Sequence, residues 1–232
     1  MALAWNTFYD KFITQAGYKL TIEGLANTAM IAVFGLLLGF ILGSLIAVIK
    51  LTPSKNPLIM VLKKVCDGYV AIFRGTPIVV QLLLLHYAVF PAMGLIIGDV
   101  AEAGVIFGLN SSAYISEIMR GGINSVDKGQ MEAGRSLGFG YSQTMLRIVI
   151  PQAFKNILPT LGNEFISLIK ETSVLSLIAV TDLTKSFKAI AESTYEYFIP
   201  YIMLAISYFA IVYIISLLVK FLERRLAKSD RR

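Results

Sequence analysis

The run from Leu25 to Ile49, LANTAMIAVFGLLLGFILGSLIAVI, contains no charged side chain. Wound as a helix, it rises further than the roughly 30 Å of hydrocarbon in a bilayer. In water, a helix apolar on every face would need a core to bury it all round. In lipid it needs only internal backbone hydrogen bonds, which a helix supplies. The run therefore predicts a membrane span, and the rest of the chain must be read around it. The composition agrees: 56% of the 232 residues are hydrophobic and 16% are charged, against about 25% charged in soluble proteins. Mean hydropathy is +0.70. The net charge of +6 then reflects Lys and Arg in cytoplasmic loops, and no nucleic-acid partner is expected. Cys66 is a lone cysteine and His86 a lone histidine, so neither an internal disulfide nor a Cys/His metal cluster is expected.

Four more segments suit spans: Pro77–Gly98, broken near Pro91; Val100–Met119, unusually polar; Asn156–Val180; and Tyr197–Val219. Sixteen of the 21 Lys and Arg residues fall in three stretches, 50–74, 120–155 and 220–232. With five spans all three stretches lie on one side, and the positive-inside rule makes that side the cytoplasm. The expected fold class is an all-α integral membrane protein with five transmembrane helices, N-terminus outside and C-terminus cytoplasmic. Residues 1–24 form an extracytoplasmic segment, 25–222 the transmembrane domain with a cytoplasmic loop at about 120–155, and 223–232 a basic cytoplasmic tail. The N-terminus lacks a basic start followed by an apolar block, so no cleavable signal peptide is expected. Asn56–Gly75 carries Lys63, Lys64, Asp67 and Arg74. It reads as an amphipathic helix at the cytoplasmic interface, broken at Gly75-Thr76-Pro77, with a sixth span as the alternative.

Gly35, Gly39 and Gly43 recur every four residues in the first span, and Gly104 and Gly108 repeat the pattern in the third. Such stripes let two backbones approach closely in lipid, here within one chain. Ionisable groups at membrane depth are costly unless they face protein or water. If each span crosses evenly, Gln81, Asn110, Ser111, Glu164 and Ser167 share one depth, which suggests a polar cavity near the midplane. The candidate substrate-binding set is Glu164, Asn163, Ser167, Asn110, Ser111, Tyr114, Gln81 and Glu117. Glu117 has a competing structural use, a pair with Arg120 at helical spacing. Hydrogen bonding between helices competes for Asn110, Ser111 and Ser167, and packing competes for His86. The GxxxxGK[ST] and HExxH patterns are absent from the sequence, so an enzyme is not expected.

Within the 120–155 loop, Lys128–Leu137 suits a helix, Gly138-Phe139-Gly140 a sharp stop, and Ser142 a cap on a second helix, Gln143–Val149. Pro151 opens the next segment. The exposed face would carry Glu132, Arg135, Phe139 and Tyr141, which suits insertion into a partner's groove.

Glu132-Ala133-Gly134, then Gly138, Ile148 and Pro151, resemble the EAA loop of ABC importer permeases. That pattern is EAA, three residues, Gly, nine residues and I-x-L-P; here Gly134 replaces the second Ala and Ile150 the Leu. FRGTPIVVQL (Phe73–Leu82), SAYISEIMRGGI (Ser112–Ile123) and NEFISLIKETSVLS (Asn163–Ser176) are similar to the polar amino acid uptake branch. The likeness runs from about residue 20 to 220. It implies a type I ABC importer permease in a bacterial inner membrane. Two ATPase copies would dock on the EAA loops and carry ATP and Mg, with no cofactor in this chain. A second permease chain, expected to be a homodimer partner, and an extracytoplasmic amino acid binding protein complete the assembly. Glu132, Ala133, Gly134, Arg135, Gly138, Phe139, Gly140 and Tyr141 would receive the ATPase's motion. Glu164 and Glu117 tilt the expected cargo toward a basic amino acid. Glutamine or glutamate is the alternative, and a membrane anchor or channel-like subunit is a further one.

Overall fold

The computed structural model describes residues 2–178 and 180–229. Met1, Ala179 in the fourth expected span, and the last three residues of the expected basic tail lie outside the described residues. Every regular element among those described is helical. In chain order these are α1 (Ala2–Tyr9), α2 (Gly17–Leu51), α3 (Pro57–Gly75), α4 (Ile78–Leu84), α5 (Phe90–Ala92) and α6 (Asp99–Asn124). They continue with α7 (Lys128–Ser136), α8 (Tyr141–Thr144), α9 (Ile150–Glu171), α10 (Leu183–Thr194) and α11 (Phe198–Ser229). Single π-helical turns at 85–89 and 145–149 join α4 to α5 and α8 to α9.

The apolar run at Leu25–Ile49 lies wholly inside α2. The helix begins earlier, at Gly17, so residue 24 is not a structural boundary. By length and composition, α2 and Phe198–Leu226 of α11 each suffice to cross a membrane. Pro57–Gly75 and Ile78–Ala92 pass that test together, bent by 107° at the break. The break falls at the expected Gly75-Thr76-Pro77. However, Tyr69 hydrogen-bonds the Leu109 carbonyl, midway along α6. The C-terminal half of α3 therefore packs against the middle of α6. Gln81 braces the break, its amide nitrogen donating to the carbonyls of Phe73 (2.8 Å) and Thr76 (3.0 Å).

α6 is the axis of the fold, with α2 along one side and α9 along another. The glycine stripe makes the α2 contact possible. A Cβ at Gly39 would stand 2.9 Å from the Ser111 Cβ, and one at Gly43 would stand 2.8 Å from the Ser112 carbonyl. Gly108 in turn receives Leu38, and Gly104 receives Phe34. The stripe thus serves packing within the chain, because lipid supplies no hydrophobic drive and close van der Waals approach must hold the pair. The main core gathers Ile31, Leu82, Phe107, Leu168 and Leu175 from four helices and the turn after α9. At the other end of α2, the fully buried Asp182 caps α10 by accepting from the Thr184 and Lys185 amides. Asn27 donates to the Thr181 carbonyl at 2.8 Å, which fixes that cap to α2.

A candidate translocation site and coupling loop

Three polar layers are strung along α6. In the middle layer, the Ser111 hydroxyl donates to Glu164 Oε1 of α9 at 2.8 Å. Beside it, Asn110 donates to Gln81 Oε1 at 2.8 Å. Ser112 meets the Tyr69 hydroxyl at 2.7 Å. Three successive α6 residues thus reach three different helices, because consecutive helical positions point about 100° apart. Gln81, Asn110, Ser111 and Glu164, four of the five residues expected at one depth, lie in one hydrogen-bonded layer across α4, α6 and α9. Gln81 and Asn110 spend much of their hydrogen-bonding capacity on each other and on the α3–α4 break, which suits bracing better than ligand binding.

Glu117 takes up the structural pairing with Arg120. It sits two helical turns from Asn110, with Lys50 Nζ 2.8 Å from Oε1 and Arg120 Nη2 2.6 Å from Oε2. Lys50 also reaches Asp67 at 2.9 Å. The Lys50 and Glu117 side chains are 14% and 15% exposed, so this is a sheltered ion pair tying the end of α2 to α6. The competing Glu117–Arg120 pairing is present, and both carboxylate oxygens are taken. Tyr114 lies under the Arg74 guanidinium, 5.4 Å from ring centre to carbon. Asn163 is exposed on α9 next to Glu164, and Ser167 is half-buried one turn further on.

The third layer has no counterpart among the residues expected from the sequence. His86 Nδ1 lies 2.7 Å from Glu102 Oε1, and Glu102 is buried. His86 is thus packed, but its partner is an acid. Glu102 lies within the expected third span, and its charge at that depth was the available signal. Lys50, Asp67 and Tyr69 had no such local signal, since their partners are distant in sequence.

The loop forms the expected helix, turn and helix. α7 ends at Ser136, and Gly138 adopts φ +86°, the left-handed conformation that glycine tolerates best. Ser142 does not cap the second helix. Gly140 precedes its first residue and donates its amide to Gln143 Oε1 at 3.3 Å. No break follows at Pro151 either, because the helix continues through a π turn into α9. Proline fits there in the first turn of α9. Glu132, Ala133, Arg135, Gly140 and Tyr141 are exposed, while Phe139 is half-buried. Gly134 is buried against α8 and the turn after it, and a Cβ there would stand 2.5 Å from Thr144 Cγ2 and 3.0 Å from Ile148 Cδ1. Its departure from alanine is thereby explained: α7 lies too close to α8 for a methyl group.

The described residues form an all-helical bundle with buried polar layers and a helical hairpin, and its likeness to solved transporters makes it a type I ABC permease fold. Residues 39–228 match the binding-protein-dependent transport system inner membrane component family, and the chain belongs to it. It is 38% identical over 209 residues to the arginine transport system permease protein ArtQ of Bacillus subtilis, covering 90% of this chain and 93% of that one. It is 39% identical over 220 residues to the putative glutamine transport system permease protein GlnP of Rickettsia typhi, covering 94% and 95%. Among solved structures, an amino acid ABC transporter with histidines superposes with a TM-score of 0.83 at 40% identity, over 92% of this chain and 98% of that chain. The MetNI methionine ABC transporter shares the fold at a TM-score of 0.73 and 18% identity, covering 90% and 97%. The chain is thus an amino acid ABC permease and an integral inner-membrane component, related to permease subunits and not to ATPases.

Proposed function

We propose that this chain lines the pathway of an ATP-driven importer whose cargo is a basic amino acid, with Glu164 meeting the cationic group. The observation that carries this is the Ser111–Glu164 hydrogen bond. It orients a carboxylate in the middle of the bundle with a hydroxyl, whereas Glu117 is neutralised by Lys50 and Arg120. In this reading Glu164 supplies the charge that meets a cationic cargo, with Asn163 and Ser167 beside it on α9. A relative named for arginine supports the reading; relatives named for glutamine support the alternative, in which Glu164 binds the α-amino group common to all amino acids.

In this scheme the N-terminus lies outside and the C-terminus in the cytoplasm. Two chains form the pathway, an extracytoplasmic binding protein delivers the cargo, and two ATPase copies hold ATP and Mg. The ATPases dock on Glu132, Arg135 and Tyr141. Motion of α7 reaches the site because α9 continues directly from α8 and carries Glu164, and rigid helices transmit such displacements.

The test is uptake of labelled arginine and glutamine by vesicles carrying the permease, its ATPase and its binding protein. ATP-dependent, binding-protein-dependent uptake favouring arginine is expected. Equal uptake of both sinks the basic preference. Flux without ATP, or none, sinks the importer reading in favour of a channel-like or anchoring subunit.

A further inference from the structure

The first helix has no part in the site. α1 and the π turn at 10–14 form one short helical rod that turns into α2 at Ala16, where φ is +58°. Its residues sort into three stripes at i, i+4 spacing. Phe8 and Phe12 face the protein. Phe8 is buried, their rings stack at 5.2 Å, and Phe12 stacks on Phe187 of α10 at 6.3 Å. Asn6 and Asp10 are exposed on the polar side. Between them runs Trp5, Tyr9 and Ile13, respectively 50%, 53% and 45% exposed.

We infer that this third stripe is embedded in the lipid interface of the leaflet opposite the coupling loop, making α1 a membrane-surface anchor. Three observations select lipid as the occupant. The stripe joins the docked face without a polar residue between them, the geometry of a helix resting at a protein–lipid edge. The span it precedes is itself apolar and exposed at Ile22, Leu25 and Met30 of α2. The core on which Phe8 sits also gathers Ile199 and Met203 of α11. The same turns of α11 carry exposed Tyr201 and Phe198, with Tyr197 just before them. Trp and Tyr concentrate at that depth because their rings are apolar and their N–H or O–H groups are not. A short helix carrying such a stripe rests along the membrane surface.

Trp5 is the only tryptophan, so it reports on the stripe directly. The full chain is reconstituted in phosphatidylcholine vesicles brominated either near the headgroup or near the chain ends. Trp5 emission is expected to fall by about half with the shallow label and less with the deep one. Aqueous iodide is expected to quench it weakly. W5F/Y9W moves the reporter along the stripe and should behave alike; W5F/F8W moves it to the docked face and should be quenched little. Quenching by iodide without quenching by bromine places the stripe in water and overturns the proposal. Quenching by neither means that a second copy or another protein covers it, which also overturns it. Equal bromine quenching at positions 8 and 9 shows that the helix is not docked, and the proposal fails in that case too. None of these outcomes depends on cargo or ATP, so the proposal stands or falls apart from the transport reading.

Discussion

Ser111 and Glu164, 53 residues apart in sequence, are joined by a 2.8 Å hydrogen bond between the hydroxyl of one span and the carboxylate of another. In the proposed role the bond aims the acid, and the acid's charge meets the cargo. These two contributions separate by mutation. Glu164→Gln keeps a hydrogen-bonding side chain of the same shape and removes the charge. Arginine uptake should fall by about tenfold or more, and glutamine uptake by much less. Ser111→Ala removes one hydrogen bond to that carboxylate while keeping the charge, and should lower arginine uptake by about tenfold. Initial uptake rates over a cargo titration check both, with thermal unfolding of the purified variants as the control. An unchanged rate for Glu164→Gln would remove this residue from the site.

The Lys50–Glu117 pair makes a contrasting prediction. Lys50→Met strips one cation from Glu117 and removes the link between α2, α3 and α6, while Arg120 still holds one oxygen. The expected cost is about 1–3 kcal/mol, read as a lower unfolding temperature in detergent. The exchanged variant K50E/E117K should recover little, because it sets a second cation beside Arg120. Full recovery would mean that the Arg120 contact contributes nothing.

The glycine stripe predicts opposite effects from the same substitution. Gly39→Ala inserts a methyl group 2.9 Å from the Ser111 side chain and 3.2 Å from the Ser112 amide nitrogen. Overpacking of this kind costs about 1–3 kcal/mol. The displaced Ser111 should also weaken its hold on Glu164, so arginine uptake falls with stability. Gly68 lies inside α3, and a methyl group added there would meet nothing within 4 Å. Gly68→Ala should stabilise by about 0.5–1 kcal/mol through helix propensity alone. Paired thermal melts decide the matter, and equal shifts would refute the packing argument.

The hairpin predicts a loss of coupling without a loss of fold. Gly134→Leu cannot fit against Thr144, so α7 must lift from α8. Gly138→Ala strains a residue at φ +86°, costing about 1 kcal/mol locally. Both variants should remain inserted in the membrane and lose ATP-driven uptake. Counting ATP hydrolysed per amino acid imported measures this directly. A ratio unchanged in both variants would argue against the hairpin as the coupling element.

Much of this architecture was legible because membrane residence is a local property. Leu25–Ile49 declares itself by composition, Gly75-Thr76-Pro77 by backbone chemistry, and the hairpin by two glycines and a spaced motif. The glycine stripe also announced a close helix contact before its partner was known. Local signals misled where two continuations were chemically allowed. Ser142 can cap a helix, but Gln143 reaches back to Gly140, so the helix starts earlier. Pro151 can begin a helix, but the first turn of a segment continuing from α8 suits it equally well. Asn56–Gly75 has the amphipathic pattern of a surface helix, and contacts of Tyr69, Phe73 and Arg74 with α4 and α6 draw its end into the bundle.

The sequence by itself determined that the chain has stretches apolar enough to span a membrane and which stretch forms the helical hairpin. Those properties follow from composition within one helix length. Only the tertiary structure decided what each buried acid does. Glu102, Glu117 and Glu164 occupy similarly polar spans, yet one meets His86, one Lys50 and Arg120, and one the Ser111 hydroxyl. The pairing depends on the register of α2, α4 and α9 against α6, set by glycines and methyl-sized contacts between distant segments. An acid's availability to a cargo depends on which neighbours that register delivers, and no window along the chain contains them.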